Sequence, residues 1–308
     1  MKKLLLLPLY FTFVCAIVPL SVTFFMPKDE NAVHSSYETV TVFDPATQET
    51  YTLNMDDYIV GVVAAEMPAS FEEEALKAQA VAARTYTLYK SASDGHEADV
   101  CTDAAHCQAY MTDADMHLNW GNDYDTYHDK IKRCVLETSG EYLTYNAEPV
   151  MAVFHSMGGG RTENSADVWG ESVPYLQSVE SPGEEAANNY ETTLTISFDE
   201  FRTKILASFP NAALNSQEDV AAPSLTEGGH VASIMIGGVS IPGTTMRTIF
   251  DLRSTKFSLS FQDNTVIFTV TGYGHGVGMS QYGANAMAKN GSTYREILAH
   301  YYTDTTLE

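Results

Sequence analysis

The sequence predicts a protein of mixed helices and strands that is held at a membrane by its N-terminus. Three observations lead to this prediction. Residues 4–26 carry no charge, residues 56–90 show the apolar spacing of two consecutive helices, and strand patterns follow one another through residues 188–267. The chain has 308 residues. That length allows a sizeable core, in one large domain or in two smaller ones.

The N-terminal segment is interpreted as a single-pass anchor. Residues 4–26 are long enough to span a bilayer with some tilt. A cleaved signal peptide would have a shorter apolar core followed by a small-residue cleavage site, and no such site follows here. The two lysines in residues 1–3 favour a cytoplasmic tail. We therefore expect residues 27–36 to be a linker and the remainder to lie outside the membrane.

The charge balance limits the partners that this protein can have. The chain has 17 basic and 40 acidic side chains, a formal net charge of −23. Binding to nucleic acid requires clustered lysine and arginine, so nucleic acid is a poor partner. Sugars and neutral or positively charged surfaces remain possible partners.

The helix pair begins after a predicted hairpin at residues 37–55. Asp56 or Asp57 can cap the first helix. Residues spaced as neighbours on one helical face are Ile59, Val62, Val63 and Glu66. Glu66 therefore continues an apolar face and lies in the last turn, before Pro68. Burial and the helix dipole both favour its protonated carboxyl, which suits a proton donor near neutral pH. A solvated, ionised Glu66 at a frayed helix end is the alternative.

The second helix is predicted to start at a capping box formed by Ser70 and Glu73 and to run to Lys90. Its alanine-rich face indicates close packing in a core. Among the polar residues on this helix, Arg84 has two interpretations: it is a structural ion-pair partner, or it faces the same pocket as Glu66.

The loop after the second helix contains a cluster of potential ligands. Cys101 and Cys107 could form a disulfide across a short ring. Alternatively, His96, Cys101, His106 and Cys107 supply four ligands for tetrahedral zinc. Reduced, unliganded cysteines are the third alternative. A fully liganded zinc would be structural, because it leaves no position for a reacting water.

Further elements follow in order along the chain. They are a helix at 125–138, strands at 141–145, 149–155 and 173–179, a helix opened by Ser197, and strands at 230–241, 246–252, 257–261 and 264–272. This β-rich block is interpreted as a second lobe inserted into the first. His155 and Ser156 suggest a serine hydrolase, but the G-x-S-x-G elbow is absent.

The chain ends with a glycine-rich loop and two helices. Glycines alternate through the loop at Gly272, Gly274, Gly276 and Gly278. His275 lies at the centre of the loop, and Ser280 can cap the helix that follows. The loop matches neither the dinucleotide fingerprint nor the phosphate-binding loop with its lysine. We interpret His275, Gln281 and Tyr282 as the rim of a sugar or carboxylate site, with a purely structural turn as the alternative.

Three stretches together resemble one known family. They are GVVAAEMP with EALKAQAVAARTY, FHSMGGGRTENSADVWG with VPYLQSV, and GYGHGVGMSQYGA. Their order and the N-terminal anchor resemble the stage II sporulation protein D family. The resemblance implies an α+β fold of two lobes flanking a cleft, with residues 37–187 and 268–308 in the catalytic lobe and 188–267 in the inserted lobe. It also implies a septal or engulfing membrane location with the ectodomain facing the wall.

Family members are lytic transglycosylases that cut peptidoglycan glycan strands during engulfment in sporulation. Stage II sporulation proteins P and M are the partners that the resemblance implies. It assigns the catalytic acid to Glu66 and substrate contacts to Arg84 and Tyr175, and it raises the expectation of a structural zinc in the cysteine loop. No cofactor is expected for bond cleavage. Gln177 stands where some members have lysine, so no positive charge acts there. The alternative is a non-catalytic scaffold that binds peptidoglycan.

Overall fold

Helices and strands alternate along the residues that the computed structural model describes, 38–93 and 98–308. Residues Val40–Glu308 form one compact unit. The predicted mixture of helices and strands is confirmed. None of the helices in these described ranges is both long and apolar enough to cross a membrane. The predicted tail, anchor and linker, residues 1–36, lie outside the described residues.

The helices are numbered here in chain order. They are α1 (Met55–Glu66), α2 (Glu73–Ser93), α3 (Asp113–Trp120), α4 (Tyr124–Glu137), α5 (Ser165–Trp169), α6 (Phe198–Ser208), α7 (Gly243–Phe250), α8 (Gln281–Lys289) and α9 (Tyr294–Tyr301).

The strands are mostly short. They are β1 (Thr39–Asp44), β2 (Glu49–Asn54), β3 (Val100–Cys101), β4 (Leu143–Tyr145), β5 (Glu148–Pro149), β6 (Phe154–His155), β7 (Glu191–Ser197), β8 (Ser224–Leu225), β9 (Val231–Ile236), β10 (Val239–Pro242), β11 (Phe257–Gln262), β12 (Thr265–Thr271), β13 (Met279–Ser280) and β14 (Thr306–Leu307).

The two helix starts near the candidate acid differ from the prediction. Asn54 caps α1, because its side chain accepts a hydrogen bond from the N–H of residue 56 at 2.9 Å. The predicted capping box at Ser70 does not open α2, which begins at Glu73. Instead, the N–H of Glu72 donates to Asn285 Oδ1 at 2.9 Å. A residue on α8 therefore helps to fix the start of α2.

One core forms where α1, α2 and α4 pack together, with α8 and α9 against α2. The alanines of α2 in this core are fully buried: Ala75, Ala78, Ala80, Ala82 and Ala83. Small side chains let the helix axes approach closely. The alanine-rich face predicted for this helix is therefore the buried face.

A second core lies between Phe201 and Val270. The sheet β11-β12-β7 and the sheet β10-β9-β8 contribute to it, together with α6 and α7. Phe201 stacks on Phe250 with ring centroids 5.2 Å apart, and Phe250 lies 4.9 Å from Phe268. This block buries an apolar cluster drawn from its own residues. The lobe boundaries given by the resemblance stay a prediction.

Two predicted strands are wrong. Residues 246–252 lie mainly in α7, because Met246 and Phe250 are one helical turn apart and both point into the second core. The helix ends at Asp251, whose φ of 53° is left-handed. Residues 173–179 contain no strand, and a turn lies within them, where the Leu176 N–H donates to the Val173 carbonyl at 3.0 Å.

The predicted central strand at 149–155 is reduced to its two ends, β5 and β6. Strand β6 pairs in parallel with β13, so that Phe154 lies beside Met279 and His155 beside Ser280. This pairing brings the glycine-rich loop alongside Phe154 and fixes the position of His275.

Candidate active site

Glu66 is the last residue of α1 and is half-buried. The apolar residues on its face, Ile59, Val62 and Val63, are completely buried. The Glu66 carboxyl accepts a hydrogen bond from the Ala109 N–H at 2.7 Å. Burial raises the pKa of Glu66, and the Ala109 N–H opposes this shift because it stabilises the carboxylate. Such a carboxyl can hold a proton and still return to the ionised form.

Glu66 opens into a pocket of about 340 Å³. The residues that line it are Glu66, Tyr86, Ala104, Ala105, His106, Cys107, Gln108, Val153, Phe154, Trp169 and His275. Residues 104–108 of the cysteine loop therefore form one wall of the pocket. The rest of the lining includes residues of β6, α5 and the glycine-rich loop. Among these described lining residues, Glu66 is the only carboxyl. The predicted acid and the predicted loop histidine share one pocket.

His275 is held as a neutral imidazole with a defined tautomer. The Val277 N–H donates to His275 Nδ1 at 3.1 Å, so the proton of the neutral ring lies on Nε2. Burial lowers the pKa of His275 to about 3, the nearby His155 and Arg247 act in the same direction, and a hydrogen bond with the Phe154 backbone opposes them. The ring centroid lies 5.5 Å from that of Trp169. His275 therefore lines the pocket as a neutral ring and not as a cation at neutral pH.

The glycine-rich loop has a backbone that requires its glycines. Gly272, Gly274, Gly276 and Gly278 all have positive φ. A Cβ on Gly278 would lie 2.1 Å from the Val153 carbonyl oxygen. The loop thus passes too close to its neighbour for any side chain at this position.

Glu163 supports the same loop from behind. Its N–H donates to the Gly276 carbonyl at 2.7 Å, and its carboxyl accepts from Thr226 Oγ1 at 2.8 Å. The residue is 1% exposed. Burial raises the pKa of Glu163 to about 7. Glu163 therefore links the second core's segment around Thr226 to the loop that carries His275.

This buried acid predicts a pH-dependent stability. Its folded pKa lies above its ordinary value of 4.5, so its contribution is complete at lower pH and is lost as pH rises through about 7. We expect the unfolding free energy of the native protein to fall by about 2–3 kcal/mol more than that of Glu163→Gln between about pH 5 and pH 8. Denaturant titrations of both proteins measure this difference. Parallel pH dependences would contradict the assignment to Glu163.

Four other predicted site residues do not line the pocket of Glu66. Arg84 is buried, and its Nη2 pairs with Asp56 Oδ1 at 2.8 Å while its Nη1 donates to the Thr138 carbonyl at 2.8 Å. These contacts fit the structural ion-pair alternative. The Tyr175 hydroxyl accepts from the Met151 N–H at 3.0 Å. Their predicted contacts with substrate stay predictions.

Gln281 and Tyr282 are also absent from the lining of this pocket. Gln281 is buried, and its Nε2 donates to Gln79 Oε1 at 3.3 Å. Tyr282 packs edge-to-face on Phe71 with ring centroids 4.9 Å apart and lines a separate pocket of about 270 Å³ with Lys289. The expected rim of His275, Gln281 and Tyr282 is thus divided, and the contacts of the last two with substrate stay predictions.

Three of the four predicted metal ligands converge. His106 Nδ1 lies 3.5 Å from Cys101 Sγ and 3.4 Å from Cys107 Sγ. All three ligand atoms lie within 4.8 Å of one another. Both cysteines are free thiols, so the disulfide alternative does not hold here. His96, the fourth predicted ligand, lies outside the described residues. Two sulfurs and one nitrogen in this arrangement fit a tetrahedral zinc.

Sequence reasoning missed Trp169, Tyr86 and Ala109. Trp169 is 45% exposed although it is large and apolar. An exposed aromatic residue beside an acid suits the apolar face of a sugar ring. The sequence cannot distinguish such a residue from a core aromatic, and the Ala109 N–H carries no sequence signal at all.

Comparisons with known proteins place the chain in a family. Residues 44–145 match the family model described as SpoIID, Stage II sporulation protein. The chain is 36% identical over 284 residues to Stage II sporulation protein D of Bacillus subtilis (strain 168), covering 91% of this chain and 82% of that protein. It is 37% identical over 278 residues to the protein of the same name from Bacillus amyloliquefaciens, covering 89% and 79% of the two chains.

A more distant relative is named Amidase enhancer, also from Bacillus subtilis (strain 168). It is 29% identical over 300 residues, which cover 80% of this chain and 40% of that protein. The two sporulation proteins are matched over most of their length. The chain therefore belongs to the stage II sporulation protein D family.

Proposed function

We propose that this protein is a lytic transglycosylase that cleaves the MurNAc–GlcNAc bond of peptidoglycan and leaves 1,6-anhydro-MurNAc ends. The observation that carries the proposal is the half-buried Glu66 carboxyl, held by the Ala109 N–H in a pocket with Trp169 and His275. Membership of a sporulation family and a relative named Amidase enhancer support a role in septal wall degradation during engulfment.

Glu66 can perform both proton transfers of this reaction. The protonated carboxyl gives its proton to the glycosidic oxygen as the bond from C1 breaks. The ionised carboxyl then takes the proton of the substrate's C6 hydroxyl as O6 bonds to C1. No water is consumed, and the acid ends in its starting state. Ordinary glycosidases use two carboxyls across the bond, whereas Glu66 is the only one among the described pocket-lining residues.

Trp169 and His275 suit the binding of a sugar at this acid. The exposed indole offers an apolar platform for one face of the ring, and its centroid lies 5.5 Å from that of His275. Neutral His275 lines the same pocket, so its ring can contact a sugar there without adding a charge. No metal or organic cofactor has a role in this scheme.

The second candidate function is a scaffold that binds peptidoglycan without cleaving it. A glycan cleft serves either purpose. Digestion of purified glycan strands by the full chain distinguishes them through the product ends. We expect anhydro-muramic ends. Reducing ends would indicate a hydrolase instead, and intact strands would indicate the scaffold.

The cellular setting is part of the same proposal. The uncharged segment at residues 4–26 would anchor the chain in the septal or engulfing membrane, with the pocket on the wall side. Stage II sporulation proteins P and M are the proposed partners, with glycan strands as substrate. Co-purification of these two proteins with the full chain from sporulating cells tests the assembly, and recovery of neither would argue against it.

We also propose a structural zinc at Cys101, His106 and Cys107, with His96 as fourth ligand. The cysteine loop forms one wall of the pocket and leads directly to Ala109, which bonds Glu66. Bound zinc would order this loop and couple metal binding to stability.

For the zinc site, we expect about one zinc per chain in the native protein. Cys101→Ser should lose this zinc and lower the melting temperature on the order of 5–10 °C. Cys134→Ser is the matched control, because Cys134 is a buried free cysteine that does not belong to the ligand cluster. Elemental analysis and thermal unfolding measure both effects. Less than about a tenth of a zinc per native chain, purified without chelator, would contradict the site.

A further inference from the structure

A fully buried carboxylate, Glu184, holds the turn that follows β6. The turn contains three consecutive glycines, residues 158–160. Glu184 Oε1 accepts from the Gly158 N–H at 3.0 Å, and Oε2 accepts from the Gly160 N–H at 2.9 Å. Backbone N–H groups gathered in a turn of this kind bind anions. Here the carboxylate comes from the chain itself, so each of its oxygens fixes one end of the glycine turn.

Two serine side chains bind the same carboxylate. The Ser181 hydroxyl donates to Glu184 Oε1 at 2.7 Å, and the Ser280 hydroxyl donates to the same oxygen. Ser181 Oγ also lies 2.8 Å from the hydroxyl of Tyr301, the last residue of α9. Ser280 belongs to β13 and caps α8 through the Gly283 N–H. Burying a carboxylate is costly unless hydrogen bonds replace its water, and Glu184 accepts four of them.

The carbonyl side of the glycine turn is bound as well, by residues just before β9 and β11. Lys256 Nζ donates to the Gly159 carbonyl at 2.7 Å. Burial lowers the pKa of His230 to about 4, so this ring is neutral. Its Nε2 donates to the Gly158 carbonyl at 3.0 Å, and its Nδ1 accepts from the Thr255 hydroxyl at 2.9 Å. The turn is therefore held at its N–H groups and at its carbonyls.

This turn is continuous with two segments that line the candidate pocket. Phe154 of β6 lines the pocket shortly before the turn. Met157, the residue before the turn, exchanges two backbone hydrogen bonds with Tyr273 at 3.0 and 2.9 Å. His275, which also lines the pocket, follows two residues later. Since β6 pairs with β13, a carboxylate bonded to both the turn and Ser280 ties these lining segments together.

The catalytic acid reaches the pocket from a different part of the fold. Glu66 ends α1 and accepts from the Ala109 N–H. The four hydrogen bonds of Glu184 involve neither α1 nor the cysteine loop. The distance between the acid and a bound sugar therefore depends on where the wall with Phe154 and His275 is placed. A misplacement of about 1 Å can cost about 10²-fold in rate.

We propose that Glu184 is a positioning residue: its carboxylate holds the glycine turn and Ser280 together and so places the wall with Phe154 and His275 opposite Glu66. This inference rests on the proposed function. Glu184 does not line the pocket, so it acts through the residues that do. Its loss should change how a glycan strand binds and should leave the protonation of the acid unchanged.

Replacing Glu184 with glutamine tests this role. The two glycine N–H groups bond to different oxygens, so one of them would face an amide NH₂ group in place of an acceptor. In the full chain carrying Glu66→Gln, the added change should weaken binding of purified glycan strands by about 10-fold. With Glu66 intact, KM should rise by about the same factor. The pH dependence of cleavage should stay the same, because the Ala109 bond to Glu66 is untouched.

The fluorescence of Trp169 gives a second readout that requires no glycan. Its ring centroid lies 5.5 Å from that of His275. The chain has two tryptophans, so Trp120→Phe leaves Trp169 as the only one. Adding Glu184→Gln should shift the emission to the red and increase quenching by acrylamide, because the wall beside the indole loosens. An unchanged Trp169 spectrum or an unchanged glycan affinity in the folded variant would overturn the inference.

Two controls separate positioning from stability. Glu185→Gln changes the exposed neighbouring glutamate and should match the native protein in both readouts. Gly140→Ala strains the backbone where no described atom lies within 4 Å of the added Cβ, and it should also match. If Gly140→Ala weakened glycan binding as much as Glu184→Gln does, lost stability would explain both effects and the inference would fail.

A matched pair of serine variants serves if Glu184→Gln does not fold. Ser280→Ala and Ser181→Ala each remove one hydroxyl donor from Glu184 Oε1. Ser280 lies in β13, beside β6, whereas Ser181 lies outside the strands. We expect Ser280→Ala to weaken glycan binding by about 3-fold to 10-fold and Ser181→Ala to bind like the parent. Equal affinities for the two variants would contradict the positioning role.

The two readouts also distinguish this inference from the proposed function. If the native chain cleaves no glycan while Trp169 still responds to Glu184→Gln, the proposed activity fails and the placement of the wall by Glu184 stands. If the native chain cleaves glycan and folded Glu184→Gln matches it in KM and in Trp169 fluorescence, the positioning role alone fails.

Discussion

Replacing Glu66 with glutamine is expected to abolish cleavage of glycan strands while leaving the fold and glycan binding intact. Glutamine keeps the size of the side chain, and its carbonyl oxygen can still accept the Ala109 N–H that now lies 2.7 Å from Glu66 Oε1. It has no proton to transfer. General acid–base catalysis contributes about 10²-fold to 10⁴-fold, and Glu66 would serve as both acid and base. Release of anhydro-muramic ends should therefore fall by at least that factor.

The control for this change is Glu72→Gln, an exposed glutamate shortly before α2. Its activity should match that of the native protein. Glu66→Ala should be inactive and also less stable, because it leaves the Ala109 N–H without its acceptor. If Glu66→Gln retained substantial turnover with normal binding, the catalytic acid would have to lie elsewhere.

The second large effect is expected for Gly278→Ala, which should destabilise the protein and inactivate it. Gly278 has a φ of 70°, and an added Cβ would lie 2.1 Å from the Val153 carbonyl oxygen. The left-handed backbone costs a non-glycine residue about 1–2 kcal/mol. Overpacking against a backbone atom adds about 1–3 kcal/mol. We expect a total loss of about 2–5 kcal/mol, measured by denaturant unfolding.

The variant Gly140→Ala separates the cost of the left-handed backbone from the cost of overpacking. Gly140 has a φ of 77°, but no atom of the described residues lies within 4 Å of the position that an added Cβ would take, so only the backbone term applies. This variant should lose about 1–2 kcal/mol and keep its activity. Equal losses for the two variants would mean that the contact between Gly278 and Val153 does not constrain the loop that carries His275.

Local patterns predicted several parts of the site. The apolar spacing along α1 placed Glu66 at the end of a buried face, and the structure has that face completely buried up to the half-exposed carboxyl. Ser280 caps α8 as predicted, because its side chain accepts from the Gly283 N–H. Both features depend on residues within one or two helical turns, which is the range over which sequence periodicity is informative.

Other parts of the site depend on contacts between distant segments. The Ala109 N–H that donates to Glu66 is 43 residues away in the chain. Every residue except proline has a backbone N–H, so no side-chain pattern identifies the one that will donate. From the sequence alone, Trp169 could equally be a buried core residue or an exposed one. The segment 246–252 is predicted as a strand, and its isoleucine and phenylalanine are residue types that favour strands. In the structure this segment is mainly helical, because a helix buries Met246 and Phe250 on one face.

Cleavage of glycan strands in heavy-oxygen water is the measurement that tests the transglycosylase proposal most directly. In the proposed reaction the substrate's own O6 closes onto C1, so the new muramyl end takes up no oxygen from solvent and is lighter by one water molecule than a hydrolysis product. We predict unlabelled anhydro-muramic ends with the native chain and none with Glu66→Gln. Labelled reducing ends that depend on Glu66 would contradict the account and identify a hydrolase.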